Sequence, residues 1–129
     1  QYYAEVTVGI DFTARDLQSE LKKNGLPWEK SKAFDQSAVV GEFIRLDELP
    51  NKNNITFQLM KNGEVVQEGQ SENMLFSIDR ILEDTSQYFT MNIGDLIFTG
   101  TPSGVGEAIV GDVFEGFLEG HKVMEVEVK

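Results

Sequence analysis

Cysteine is absent from the 129 residues, which excludes a disulfide framework and any thiolate-bound metal. Histidine occurs once, at His121, in a polar Glu-Gly-His-Lys turn that reads as surface rather than as a catalytic position. No nucleophile-elbow sequence supports Ser/His/Asp catalysis. No apolar run reaches the roughly 20 residues of a membrane-spanning helix, and no signal-peptide pattern is visible. Basic residues are few: 11 Lys and Arg stand against 22 Asp and Glu, for a net charge of -11. That balance argues against nucleic acid or an anionic membrane as partner. It suits a soluble cytoplasmic protein, one that needs a cation to hold an anionic substrate. The chain also lacks an initiator Met and opens on Gln1-Tyr2-Tyr3, so an upstream segment is expected.

What the chain does contain is organised around Gly9–Gln18. Val6, Val8 and Ile10 alternate with Glu5, Thr7 and Gly9, the pattern of a strand with one buried face. Asp11 then falls where the strand ends. Thr13 is the expected N-cap of a helix, with Asp16 three residues on in capping-box fashion. Ala14, Leu17 and Leu21 share one face at helical spacing, and Arg15 and Gln18 lie one turn apart on its flank. Asn24-Gly25 stops the helix and Pro27 prevents its resumption.

Residues 25–35 carry too few periodic apolar positions for a long element. Ser37 to Leu46 reads as strand-like. Ile55–Met60 and Val65–Gly69 flank Asn62-Gly63, the pair that tolerates positive φ at both centres of a type I′ turn. Ser77 caps a second helix, whose expected core stripe is Ile78, Ile81, Leu82, Thr85, Tyr88 and Phe89. Strands are expected at Leu96–Thr99, Val113–Phe117 and Val123–Val128, with Gly-Asp turn chemistry before the first two. Phe57, Phe76, Phe89, Phe98 and Phe114 read as core. Two helices among several strands, with neither linker nor repeat, define an α+β, mostly β chain and a single domain over 1–129.

Several residues can carry chemistry. Asp11 reads either as a turn aspartate or as an oxygen ligand for Mg²⁺ or Mn²⁺. Arg15 and Gln18 read either as solvated helix surface or as a clamp, since Arg offers a fork to a carboxylate and Gln both donor and acceptor. Lys32, between Trp28 and Phe34, reads as a snorkelling surface lysine or as a cation placed over developing negative charge; Lys30 is an equal candidate on these grounds. The loop Thr99–Gly106 lacks both the Gly-Lys-Ser/Thr of a P-loop and a complete G-x-G-x-x-G before a helix, which argues against nucleotide binding. Its backbone N–H groups and the Thr101 hydroxyl can still meet an anion.

Taken together, Asp11–Gln18, Lys23–Trp28, Lys32–Asp35, Ser71–Ile78 and Gly94–Gly106 resemble the motifs of the fumarylacetoacetate hydrolase family in order and spacing. The likeness is to the branch of acylpyruvate hydrolases, oxaloacetate decarboxylases and 2-hydroxyhepta-2,4-diene-1,7-dioate isomerases. The resemblance implies a mixed β-roll, a homodimer, and an enzyme that uses Mg²⁺ or Mn²⁺ on small 2-oxo acids, often with C–C bond cleavage. It implies that Asp11 is a metal ligand, that Arg15, Gln18 and Thr101 contact the oxoacid end of the substrate, and that Lys32 rather than Lys30 steadies an enolate. In such proteins two further ligands form a Glu-x-Glu pair, and a His–Glu pair on a lid activates water; both are expected upstream of Gln1. Glu125 and Glu127 also spell Glu-x-Glu, but in a C-terminal strand, where an exposed alternating edge explains them.

Overall fold

The computed structural model describes residues 3–129. It is an α+β protein with eight strands and three α-helices among the described residues, one helix more than the sequence pattern predicts. The chain divides into two compact units, Gly9–Val40 and a larger one made of residues 3–8 with Gly41–Lys129.

The larger unit is built on a four-stranded antiparallel sheet. Its strands are β5 (Thr56–Lys61), β6 (Glu64–Gln70), β7 (Val113–Leu118) and β8 (His121–Glu127), in the order β6-β5-β7-β8. The two hairpins share one turn chemistry. Asn62 and Gly63 have φ of 52° and 83°, and Glu119 and Gly120 have 49° and 79°, the doubly positive geometry that matches the strand twist. Alternation along β7 buries Phe114 and Leu118 while Glu115 and Phe117 stay half-buried. With Leu59, Val123 and Met124 they form the apolar core, to which Val8 adds from the N-terminal strand region. Phe57 faces Gly69 across the β5–β6 ladder. Its ring occupies the space a glycine Cβ would need, 2.3 Å from ring Cζ, so an aromatic covers a residue that has no side chain to pack.

Within this unit β1 (Glu5–Val6) pairs with β4 (Ile44–Arg45). The continuous strand predicted over 5–10 is interrupted: the Thr7 hydroxyl donates to the Glu42 carbonyl at 2.8 Å, and Gly41 N–H bonds the Val8 carbonyl. The strand-like stretch 37–46 is broken in the same way, between β3 (Ala38–Val40) and β4.

Helix α3 (Ile78–Ser86) begins where predicted. Ser77 is its N-cap, accepting from Arg80 N–H at 3.2 Å. Its predicted apolar stripe stops short, because the Thr85 carbonyl accepts from both Tyr88 and Phe89 N–H groups as the helix ends. Tyr88 and Phe89 then leave the face set by Ile78, Ile81 and Leu82 and are exposed. Leu96–Thr99 pairs with no described strand. It lies between Gly94 and Gly100, both at positive φ. Phe76 and Phe98 are exposed, Phe57 is half-buried, and Phe114 alone of the five candidate core phenylalanines is buried.

A polar knot closes the β5–β6 turn onto β7. The buried Asp112 carboxylate accepts from Asn62 Nδ2 at 2.8 Å and Ile109 N–H at 2.8 Å, and pairs with Lys61 Nζ at 2.7 Å. The Lys61 hydrogen bond, then those from Ile109 and Asn62, hold its pKa down from 3.8 to about 2. A depressed carboxyl contributes stability in full above its unfolded value and loses it as pH falls through the folded one. Asp112→Asn is therefore expected to lower the urea midpoint at neutral pH. Its deficit relative to the unaltered protein should shrink as pH falls from 3.8 toward about 2. A deficit constant across that window would contradict this assignment.

Candidate functional site

The unit Gly9–Val40 carries the predicted carboxylate, guanidinium, carboxamide and lysine. Its two strands, β2 (Gly9–Asp11) and β3, pair in register from Gly9↔Val40 to Asp11↔Ala38. Asp11 closes β2, as the sequence predicts. Helix α1 (Arg15–Lys23) follows, with Ala14 rather than Thr13 at the N-cap and no side-chain cap. The Thr13 hydroxyl is otherwise engaged: it donates to the Asp11 carbonyl at 3.2 Å and accepts from Lys32 Nζ at 2.8 Å. The predicted capping box therefore does not form.

At its other end α1 stops as expected. Gly25 has φ of 64°, its N–H meets the Lys22 carbonyl, and Leu26 N–H meets the Leu21 carbonyl. This is the double-bonded glycine stop of a Schellman motif.

The third helix is the single turn α2 (Glu29–Lys32), within the stretch predicted to hold no long element. A helix this short is not stable by itself, and its supports are visible. Ser31 is fully buried; its hydroxyl donates to the Trp28 carbonyl at 2.6 Å, and its carbonyl accepts from Ala14 N–H at 3.1 Å. The buried Ser37 hydroxyl donates to the Lys32 carbonyl at 2.6 Å, while the Ser37 carbonyl accepts from Phe12 N–H. The backbone that carries Lys32 is thus tied on one side to the entry of α1 and on the other to the approach of β3.

The result is a fixed ammonium. Lys32 Nζ lies 2.5 Å from Asp11 Oδ2 and 2.8 Å from Thr13 Oγ1. The side chains of Lys32 and Asp11 remain 35% and 45% exposed, so both can be reached by a small ligand. Lys32 also lines an open concavity with Leu26, Pro27, Trp28 and Glu29. Arg15 and Gln18 stand on the first turns of α1, with Arg15 Nη1 3.5 Å from Gln18 Oε1. A guanidinium fork beside a carboxamide suits a carboxylate with a neighbouring oxygen.

Thr101 belongs to the larger unit. Its hydroxyl is exposed and accepts from Gln67 Nε2 at 2.9 Å. Glu125 and Glu127 lie exposed on the edge strand β8, with Glu125 paired to Lys122 at 2.5 Å; they are edge residues, as their alternation predicts. His121 is exposed at the start of that strand.

Ser31, Ser37 and Gln67 are supports that the sequence pattern does not single out, and Thr13, expected as an N-cap, serves as a support of Lys32 instead. Ser31 and Ser37 carry no periodic signal in the sequence, and Thr13 and Gln67 meet partners 19 and 34 residues away.

Hard cations take oxygen ligands, and Asp11 is fit to supply one. Among the described residues, however, no group of three His, Asp or Glu side chains is placed to hold a metal ion. The described residues by themselves therefore do not make up a metal site around Asp11.

A lysine, a carboxylate and an Arg–Gln pair carried on one small unit can meet an anionic small molecule through charge and hydrogen bonds. The model of the fumarylacetoacetate (FAA) hydrolase C-terminal family matches residues 1–129, and the chain belongs to this family. Among relatives, it is 41% identical over 128 residues to the mitochondrial oxaloacetate tautomerase of Mus musculus, covering 99% of this chain and 58% of that protein. The fumarylpyruvate hydrolase of Pseudomonas aeruginosa, solved with Mn²⁺ and pyruvate, superposes with a TM-score of 0.87 at 34% identity, over 95% of this chain and 52% of that one. The 5-carboxymethyl-2-hydroxymuconate delta-isomerase of Mycobacterium smegmatis gives a TM-score of 0.81 at 34% identity, over 95% and 46%. The family's named members are thus enzymes, and the chain spans somewhat more than half the length of the curated relatives it matches, 53% and 58% for the first two.

Proposed function

We propose that this chain carries the enolate-stabilising part of an enzyme acting on small 2-oxo acids, by C–C bond hydrolysis or decarboxylation. The observation that supports this most is the Lys32 ammonium, held 2.5 Å from Asp11 and 2.8 Å from Thr13 on a braced single turn. In this reading Arg15 and Gln18 orient the carboxylate and adjacent oxygen of the substrate, and Thr101 contributes a substrate-contacting hydroxyl. When the bond to the α-carbon breaks, its electron pair stays on the substrate as an enolate. Lys32 offers a preorganised positive charge to the enolate oxygen, which is worth more in a fixed site than in water. Mg²⁺ or Mn²⁺ is the proposed cofactor, with Asp11 as one of its ligands; when bound, such an ion acts as a Lewis acid toward carboxylate and keto oxygens. The proposed assembly is a homodimer.

A second reading keeps the same residues and moves a proton instead of cleaving a bond. It is favoured by the relatives named as an oxaloacetate tautomerase and a delta-isomerase. An enolate lies on both routes, so Lys32 serves either.

The test uses the complete protein with Mg²⁺ or Mn²⁺ and three substrates: oxaloacetate, an acylpyruvate and a 2-hydroxy-diene-dioate. Loss of enol absorbance is expected with at least one of them, abolished by a chelator and restored by the metal. Carbon fragments in the product would identify cleavage, and an unfragmented isomer would identify proton transfer. A folded, metal-loaded protein inert toward all three would overturn the proposal.

A further inference from the structure

We infer that Gln67, on β6, is the residue that positions the Thr101 loop for ligand binding; this rests on the reading of Thr101 as a substrate contact. Three observations converge on it. The first is the carboxamide itself. Gln67 Nε2 donates to Thr101 Oγ1 at 2.9 Å and to the Pro102 carbonyl at 3.0 Å, with the Ser103 carbonyl at 3.4 Å. Two of these three acceptors are carbonyls, which can only accept, so the amide nitrogen must face the loop.

The second is the strand register. Leu59 pairs with Gln67 but Met60 with Val65, so Val66 is the extra residue of a β-bulge. A bulge bends the strand and re-aims the neighbouring side chains.

The third is the close approach of the loop to that bulge. Gly104 has φ of 102°, and a Cβ placed on it would lie 2.1 Å from the Val66 carbonyl oxygen. Only glycine fits there. The loop is therefore seated on the bulge at Gly104 and held by Gln67 at 101–103. Among the described residues, Thr101–Gly106 contains no strand or helix of its own, and a loop without a ladder depends on such ties for its conformation. Gln67 acts through Thr101 and is a positioning residue.

The experiment measures KM and kcat of the complete protein for its best 2-oxo acid in Gln67→Leu, Thr101→Ala and the double variant, together with their thermal midpoints. If Thr101 contacts substrate equally in ground and transition states, losing the contact raises KM with little change in kcat. Gln67→Leu is expected to raise KM about tenfold, the scale of one hydrogen bond, with the thermal midpoint close to the parent's. In the Thr101→Ala background the same substitution should add less than about twofold, since neighbours in one network are not additive. Should Gln67→Leu not fold, Gln67→Glu keeps the side-chain length, has no amide hydrogen to donate, and carries the same expectation.

Three outcomes separate the possibilities. A raised KM in Thr101→Ala with none in Gln67→Leu overturns the positioning inference alone. An unchanged KM in Thr101→Ala removes Thr101 from the substrate and the inference with it. Equal effects of Gln67→Leu in both backgrounds assign Gln67 a general structural part and overturn the inference.

Discussion

Replacing Lys32 by alanine is expected to slow turnover of the 2-oxo acid by about 10²- to 10³-fold, the scale seen when one preorganised donor to a developing oxyanion is removed. On the proposed reading the loss should fall on kcat, because the charge that Lys32 would meet develops only as the enolate forms. Lys32→Arg should not restore the rate: a planar guanidinium cannot reproduce a compact ammonium that touches Asp11 and Thr13 at once. Lys30 provides the comparison. On sequence alone it matches Lys32 as a candidate, yet it is exposed, and the ammonium held by Asp11 and Thr13 is that of Lys32. Lys30→Ala is expected to leave kcat within twofold, within the small range usual for an exposed substitution. Steady-state kinetics on the complete, metal-loaded protein decide the matter. Equal activity in Lys32→Ala and the parent would remove Lys32 from the chemistry, and a collapse in Lys30→Ala would place the chemistry on Lys30 instead.

The second large effect concerns stability. Leu118→Ala is expected to destabilise the protein by about 2–5 kcal/mol, the usual cost of a buried leucine truncation with its residual cavity. Leu118 is 2% exposed at the end of β7, a strand paired on both sides, and stands opposite Phe57 in the β5–β7 ladder. It also precedes the Glu119-Gly120 turn, where the Glu119 carboxylate accepts from Thr56 N–H and its hydroxyl. Little freedom is left for the chain to collapse into the space a leucine would vacate. Against a typical total of about 5–15 kcal/mol, such a loss is a large fraction. Glu125→Ala, on the exposed edge, should change stability by no more than about 0.5 kcal/mol. Urea midpoints of the two variants measure the contrast, and comparable midpoints would show that β7 does not carry the core.

The parts of the fold that could be read from the sequence are those fixed by neighbours in the chain. Asn62-Gly63 makes its hairpin because both residues tolerate positive φ, Ser77 caps α3 with its own hydroxyl, and Asn24-Gly25 ends α1 in a Schellman motif. Asp11 falls at a strand end because the alternation before it is local. Of the misreadings, the first has the opposite cause. Thr13 looks like an N-cap until a lysine 19 residues away claims its hydroxyl. The stripe through Tyr88 and Phe89 is sound only if the helix continues past Ser86. Leu96–Thr99 has strand residues but no described strand to pair with.

The candidate site shows the same division. Residue types and order pointed to Asp11, Arg15, Gln18, Lys32 and Thr101, whereas the braces Ser31, Ser37 and Gln67 emerge only when the chain is folded. A serine holding a one-turn helix has no signature before its partners arrive.

The polar knot at Asp112 has a consequence for how the molecule ages. Asn-Gly is the dipeptide most prone to deamidate, through attack of the glycine amide nitrogen on the asparagine side-chain carbon. In Asn62-Gly63 that carboxamide is held at both ends, its nitrogen by Asp112 at 2.8 Å and its oxygen by Val113 N–H at 2.9 Å. Attack requires the group to turn, and turning would break both bonds and leave Asp112 short of a donor. The folded hairpin therefore shields a chemically fragile pair, and spontaneous conversion to aspartate or isoaspartate becomes a marker of molecules that have opened there.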